Sequence, residues 1–88
     1  MPIIRFAWSP LLVELRREEC PHASWLGSRR AWSMSQTDAE RFLHATQERL
    51  TLMRTSTEIH IDNECWVVGF VQGAPYLRSG HPCSRHPI

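Results

Sequence analysis

The chain has 88 residues, with ten arginines, no lysine and nine acidic residues, so its formal net charge at pH 7 is only +1. A chain of this length forms one domain with a compact core and leaves little room for a deep enzyme pocket. The near-balanced charge excludes a polycation, and no apolar run approaches the ~20 residues that a membrane-spanning helix needs.

The cysteines indicate the compartment. Cys20, Cys65 and Cys83 are an odd number in a chain that shows no signal-peptide pattern. Unpaired thiols are typical of a reducing environment, so the sequence predicts a cytoplasmic protein with no membrane partner.

The first predicted elements are a strand and a short helix. Alternating apolar residues over 3–8 predict a strand whose buried face includes Trp8. Ser9-Pro10 predicts a helix start, with serine as the N-cap and proline in the first turn. Cys20-Pro21 predicts the end of this helix, because a residue before proline is pushed out of the α region.

A β-hairpin is predicted next. Trp25 and Trp32 stand seven positions apart and flank the turn sequence 27–30, Gly-Ser-Arg-Arg. With Ser28-Arg29 as a two-residue loop, Trp25 lies opposite Trp32, and both indoles stand on one face as a cross-strand pair. Arg29 and Arg30 then lie at the tip of the hairpin.

The second half of the chain predicts one longer helix and more sheet. Residues 37–40 (Thr-Asp-Ala-Glu) read as a capping box for a helix over 38–53, whose buried stripe ends at Met53. Residues 58–61 and 65–71 predict two strands joined by a turn at 62–64, and Tyr76-Leu77 reads as a short edge segment.

Together these elements predict an α+β domain. Its order is β-α-β-β-α-β-β, with two helices on one face of a small, mostly antiparallel sheet. The predicted domain covers residues 1–77. Residues 78–88, rich in Gly, Pro, Ser and His, are expected to form a flexible C-terminal tail.

The first half of the chain resembles a known family. An apolar strand, the helix start Ser-Pro-Leu-Leu-Val-Glu-Leu-Arg at 9–16, a hairpin with tryptophans at its two ends, and a helix from Thr37 resemble the HARP domain associated with SNF2-type annealing helicases. The resemblance implies a non-catalytic module that binds branched or partly single-stranded DNA. It carries over to Trp25, Trp32, Arg30 and Gly27. The few basic residues and the additional sheet over 58–77 depart from the pattern.

The hairpin is the candidate nucleic-acid site. Its guanidinium groups and turn amides suit phosphate, and indole faces can stack on bases. The alternative is that the tryptophans belong to the core and the arginines are ordinary solvated surface. The candidate residues are Trp25, Gly27, Ser28, Arg29, Arg30 and Trp32.

A zinc site is a weaker candidate. The triplets Cys20-Pro21-His22 and His81-Pro82-Cys83 offer two thiols and two imidazoles, the ligand types that tetrahedral zinc prefers. A Cys-x-His pair fits poorly around one ion, and the triplets are far apart in the chain. We therefore expect no bound metal and no other cofactor.

Catalysis is not expected either. A nucleophilic cysteine needs a neighbouring histidine base and a group that orients it. Cys65 reads as a small apolar residue of a strand, and His60 as a solvent-facing one. The carboxylates lie on predicted helix surfaces and caps, so the sequence predicts a protein that is not an enzyme.

Two functions remain open. The first is a module that recognises the structure of DNA rather than its sequence, through the Trp/Arg hairpin. The alternative is a small interaction or inhibitor module of phage or mobile-element type that caps a host protein, such as a DNA-handling protein, through Tyr76-Leu77 or an uncovered tryptophan. A homodimer formed through the strand 67–71 is a further hypothesis.

Overall fold

A computed structural model describes the backbone of residues 1–82 and their side chains except those of 76 and 78–82. Six strands and two helices follow one another along the chain. They are β1 (Ile3–Phe6), α1 (Pro10–Glu19), β2 (Ser24–Leu26), β3 (Ala31–Ser33), α2 (Gln36–Leu52), β4 (Ser56–Ile61), β5 (Glu64–Val71) and β6 (Ala74–Pro82).

The strands form one sheet in the order β2-β3-β1-β4-β5-β6, and every neighbouring pair is antiparallel. Both helices pack on one face, so the predicted α+β fold is confirmed. The opposite side of the sheet is called the open face below. Neither helix in residues 1–82 is long and apolar enough to cross a membrane.

The core lies between the sheet and the two helices. Phe42 of α2 stacks on Phe6 of β1, with ring centroids 5.6 Å apart. Burying such aromatic and branched side chains is the main favourable term in folding. The buried apolar side chains of this cluster are Ile4, Leu12, Leu15, Cys20, Met34, Ala39, Phe42, Leu43, Leu50, Ile59 and Val68.

The helix caps are partly as predicted. In α1, Ser9 is the N-cap and its hydroxyl accepts from the amide of Leu12, which confirms the predicted start. In α2, the predicted cap at Thr37 is wrong, because Ser35 caps the helix and accepts from the amide of Asp38 at 3.1 Å. Ser35 offers the same capping chemistry two residues earlier and leaves Asp38 in the favourable first turn.

Two residues predicted to be buried are exposed. β1 ends at Phe6, so Trp8 lies in the following loop and is 79% exposed. Met53 is the C-cap of α2 and also lies in solvent. Each residue fits the apolar spacing of the strand or helix before it but lies beyond the last residue of that element.

The β2–β3 hairpin has the predicted register but a longer loop. Trp25 pairs with Trp32, and Leu26 pairs with Ala31. Residues 27–30 form the turn, in which the amide of Arg29 donates to the carbonyl of Leu26. Arg30 has a φ of 50°, a left-handed conformation that turns the chain into β3.

The C-terminal strand is longer than the sequence predicts. The Gln72-Gly73 turn has positive φ at both residues, as a type I′ hairpin turn requires, and β6 then runs to Pro82. Residues 78–82, assigned above to a tail, therefore belong to the sheet, whereas 83–88 lie outside the described residues. β5 is paired on both sides, so residues 67–71 offer no open edge to a second copy.

One polar contact joins α2 to the sheet. The amide of Gly69 donates to Gln47 Oε1 at 2.7 Å, and Gln47 Nε2 donates to the carbonyl of Gly69 at 3.1 Å. Thr51 adds a third hydrogen bond to the same carbonyl. A buried stretch of backbone in β5 is thus satisfied by side chains of the helix, as burial requires.

The close packing around Gly69 predicts a strong requirement for glycine at this position. A Cβ there would collide with the carbonyl oxygen of Thr55 and come within 2.9 Å of Ser56 Cα, at a φ of +124°. We expect Gly69→Ala to lower the free energy of unfolding by about 3 kcal/mol through strain and steric conflict. Urea denaturation measures this change.

Gly73→Ala is the matched control. Gly73 also has a positive φ (+83°), but nothing lies within 4 Å of an added Cβ. Its substitution is expected to cost about 1 kcal/mol, from backbone strain alone. Equal losses for the two variants would contradict the close approach at Gly69.

Candidate functional site

A groove of about 840 Å³ opens where the tip of the β2–β3 hairpin meets the open face. Ile4 of β1 points into the core, so its neighbours Ile3 and Arg5 point to the opposite side. We call this the arginine groove. Its lining residues are Ile3, Arg5, Ser28, Arg29, Arg30, Ala31, His60, Asp62 and Asn63.

The arginine groove carries more positive than negative charge. Arg29 and Arg30 come from the hairpin tip, and Arg5 comes from the adjacent β1, while Asp62 is the one carboxylate in the lining. The Asp62 carboxylate also accepts a hydrogen bond from the amide of Ile3 at 3.0 Å. Three arginines that line one concave surface favour a ligand with several negative oxygen atoms, such as a nucleic-acid backbone.

The two tryptophans of the hairpin lie on the other side of the sheet. Trp32 is paired with Ile4 of the core and with Trp25, whose ring centroid is 5.1 Å away at a tilt of 56°. Because cross-strand partners point to the same face, both indoles stand on the side of the helices. The predicted site residues are therefore split between two faces.

Trp32 is a packing residue. The guanidinium of Arg16 lies over its ring, 3.9 Å from the centroid, and Arg16 Nη1 donates to the carbonyl of Cys20. Burial is the main cause that lowers the pKa of Arg16, and the charge of Arg17 adds to it. This buried cation–π contact covers one face of Trp32 and leaves that face closed to a base.

Trp25 is the accessible member of the pair. It lies on the edge strand β2 and is 53% exposed. The edge of its indole lies beside Gly27, where an added Cβ would be 3.5 Å from Trp25 Nε1. Ser28 and both arginines of the turn are exposed as well. The hairpin thus offers one indole on one side and two guanidinium groups on the other.

The weaker zinc candidate gains no support from Cys20. Its side chain is fully buried and its thiol donates to the carbonyl of Asp38 at 3.2 Å. Burial raises the pKa of Cys20 to about 11, which disfavours the thiolate that binds zinc. His22 is exposed beyond α1. The side chain of His81 and all of Cys83 lie outside the described residues.

The β4–β5 hairpin brings His60 and Cys65 into contact, although the sequence predicted no shared role for them. Cys65 and His60 are cross-strand partners, and Cys65 Sγ lies 3.3 Å from His60 Nδ1. Glu58 stands on the same side of β4, two residues before His60. The sequence contained a signal for this contact, because residues 60 and 65 lie at equal distances from the two-residue turn Asp62-Asn63. Residues placed in this way pair across a hairpin.

Comparisons with known proteins add no assignment. No family model matches the chain, and neither a curated protein nor a solved structure matches it. The resemblance to the HARP domain stays an expectation.

The raised pKa of Cys20 predicts a loss of stability in alkali. An unfolded cysteine deprotonates near its ordinary pKa of 9.0, whereas the folded thiol holds its proton to about 11. The unfolded state therefore binds fewer protons between these values, and the free energy of unfolding falls by about 2 kcal/mol as the pH rises through that range.

Comparison of urea denaturation at about pH 8 and about pH 11 measures this loss. Cys20→Ala is the matched variant, because it removes the thiol while other groups titrate as before. The difference in the free energy of unfolding between wild type and variant should shrink as the pH rises. A difference that stays constant with pH would show that Cys20 does not titrate in this way.

Proposed function

We propose that this protein is a non-enzymatic nucleic-acid-binding module that holds the sugar-phosphate backbone in the arginine groove. The observation that carries the proposal is the convergence of Arg29 and Arg30 with Arg5 on one exposed concave surface. Planar guanidinium groups bind phosphate oxygens in a bidentate manner, which gives both affinity and orientation.

The same geometry supports recognition of DNA structure rather than sequence. Contacts to phosphate carry no direct sequence information. Trp25 adds an exposed indole on the other face of the same hairpin, at the edge strand β2, and aromatic stacking tolerates every base. Since bases must be unpaired to stack on the indole of Trp25, forked or single-stranded DNA is the preferred ligand. The resemblance to the HARP domain implies the same ligand class.

The first test removes the charges of the hairpin tip. We expect the double variant Arg29→Ala/Arg30→Ala to bind single-stranded and forked DNA roughly 10- to 100-fold more weakly, because each exposed charged contact that is lost contributes about 1 kcal/mol. For this variant, the slope of log affinity against log salt concentration should become shallower by about 1.4, since two phosphate contacts are lost. Fluorescence anisotropy with labelled oligonucleotides measures both.

The matched control removes two other arginines. Arg17 and Arg49 are exposed and lie on α1 and α2, outside the arginine groove. Arg17→Ala/Arg49→Ala changes the net charge by the same amount and should leave most of the affinity intact. If both double variants lose the same affinity, the binding follows overall charge and the proposed groove is wrong.

A second test addresses stacking. We expect Trp25→Leu to weaken binding to single-stranded DNA by roughly 5- to 100-fold and to leave binding to blunt duplex nearly unchanged, because only unpaired bases can stack. Trp8→Leu is the control, since Trp8 is also exposed but lies outside the hairpin. If Trp25→Leu weakens binding to single-stranded DNA and to duplex DNA equally, Trp25 does not stack on unpaired bases.

A protein-interaction module is the second candidate. β6 is a nine-residue strand at the edge of the sheet, and an edge strand can pair with an extended segment of another protein. Tandem affinity purification with and without nuclease separates the two functions. A stoichiometric protein partner that survives nuclease favours this candidate, and material lost with nuclease favours nucleic acid. A cytoplasmic location stays a prediction, as does a homodimer, although strand 67–71 is paired on both sides and offers it no open edge.

A further inference from the structure

We propose that Glu58, His60 and Cys65 form a binding site for a divalent metal ion of the zinc class on the open face of the sheet. One potential ligand atom from each side chain lies within 4.8 Å of the other two. Metal binding by these three side chains differs in its chemistry from the proposed contact with DNA. It does not depend on that contact.

Antiparallel pairing creates this cluster. His60 and Cys65 are direct partners across β4 and β5, so their side chains point to the same face. Cys65 Sγ lies 3.3 Å from His60 Nδ1, so the ion would be bound at this ring nitrogen. The Glu58 carboxylate lies nearest the other ring nitrogen, 3.9 Å from His60 Nε2, and one carboxylate oxygen is within 4.8 Å of the other two ligand atoms. Glu58 precedes His60 by two residues, which is the period that returns a side chain to the same face of a strand.

The distance between sulfur and nitrogen suits a shared metal ion as well as it suits a hydrogen bond. Zinc binds thiolate at about 2.3 Å and imidazole at about 2.0 Å, so a tetrahedral site separates these two ligand atoms by about 3.5 Å. The observed sulfur-to-nitrogen distance of 3.3 Å is close to this value. The Glu58 side chain is 54% exposed, so rotation about its side-chain bonds can bring the carboxylate to the ion.

The ligand types select the ion. Thiolate and imidazole prefer zinc, cobalt and nickel, whereas magnesium and calcium prefer sites made of oxygen atoms. One thiolate and one carboxylate neutralise a divalent charge. Three protein ligands leave a fourth tetrahedral position for water or a ligand, and His60 also lines the arginine groove.

The backbone around the site is held in place. The amide of Asp62 donates to the carbonyl of Ile3 at 2.8 Å, and the amide of Ile3 donates to the Asp62 carboxylate. These bonds tie the β4–β5 turn to β1, next to the paired ligands. The register of β5 with β6 also shifts between Glu64 and Trp66, at the position of Cys65. Such irregularities re-aim side chains and are common at functional sites.

Cobalt provides a direct test, because a thiolate bound to Co²⁺ gives a charge-transfer absorption band that a carboxylate or imidazole does not. The reduced, purified chain is titrated with Co²⁺ alone and then with Zn²⁺. We expect one Co²⁺ per chain, a charge-transfer band, and loss of that band as Zn²⁺ displaces the cobalt.

Three variants locate the ligands. Cys65→Ser should abolish the band. His60→Gln and Glu58→Gln should each weaken Zn²⁺ binding at least about tenfold. Even the loss of a residue that only orients a metal ligand weakens binding by about that much. Glu58 is exposed, so its variant keeps the folded state intact even if the others do not. Far-UV circular dichroism verifies folding of each.

Cys20→Ala and Cys83→Ser are the thiol controls, and both should keep the band. The proposal is overturned if the wild-type chain shows no band at saturating Co²⁺, or if Cys65→Ser keeps it. It is also overturned if only Cys83→Ser loses the band, or if Glu58→Gln and His60→Gln bind Zn²⁺ with wild-type affinity.

Discussion

The contact between Gln47 and Gly69 is the constraint on which the arrangement of the sheet depends. A side-chain amide of α2 satisfies both the N–H and the C=O of one residue in β5. The absence of a side chain at position 69 lets β5 lie close to the start of β4 and to Leu50 of α2. The contact holds the helix against the β4–β5 half of the sheet. That half carries His60 and Cys65, while β1 and the hairpin attach to its other side through Ile4 and Phe6.

The alternation of strand side chains divides the molecule into two surfaces with different roles. The side facing the helices takes the apolar residues and the tryptophan pair, with Arg16 lying over Trp32. The open face takes Arg5, His60 and Cys65, and neither helix of residues 1–82 lies on that side. Arg5 and His60 therefore lie on the side of the sheet that the core does not use.

Local patterns predicted much of this fold because their physical causes are local. The period of two and the turn chemistry located the hairpin and paired Trp25 with Trp32 in the correct register. The Ser9-Pro10 start of α1 followed from its capping chemistry. Predictions failed where two neighbouring signals compete, as with Ser35 and Thr37 at the start of α2, or where an apolar period outlasts its element, as at Trp8.

The amino-acid sequence by itself determined the α+β class, the helices, the hairpin and the two arginines at its tip. Only the tertiary structure decided that Arg5 joins these arginines, and that the tryptophans face the opposite side. It also decided that β6 completes the sheet. The reason is that pairing between strands distant in the chain, here β1 with β3 and β4, sets which side chains become neighbours. Sequence spacing does not contain that pairing.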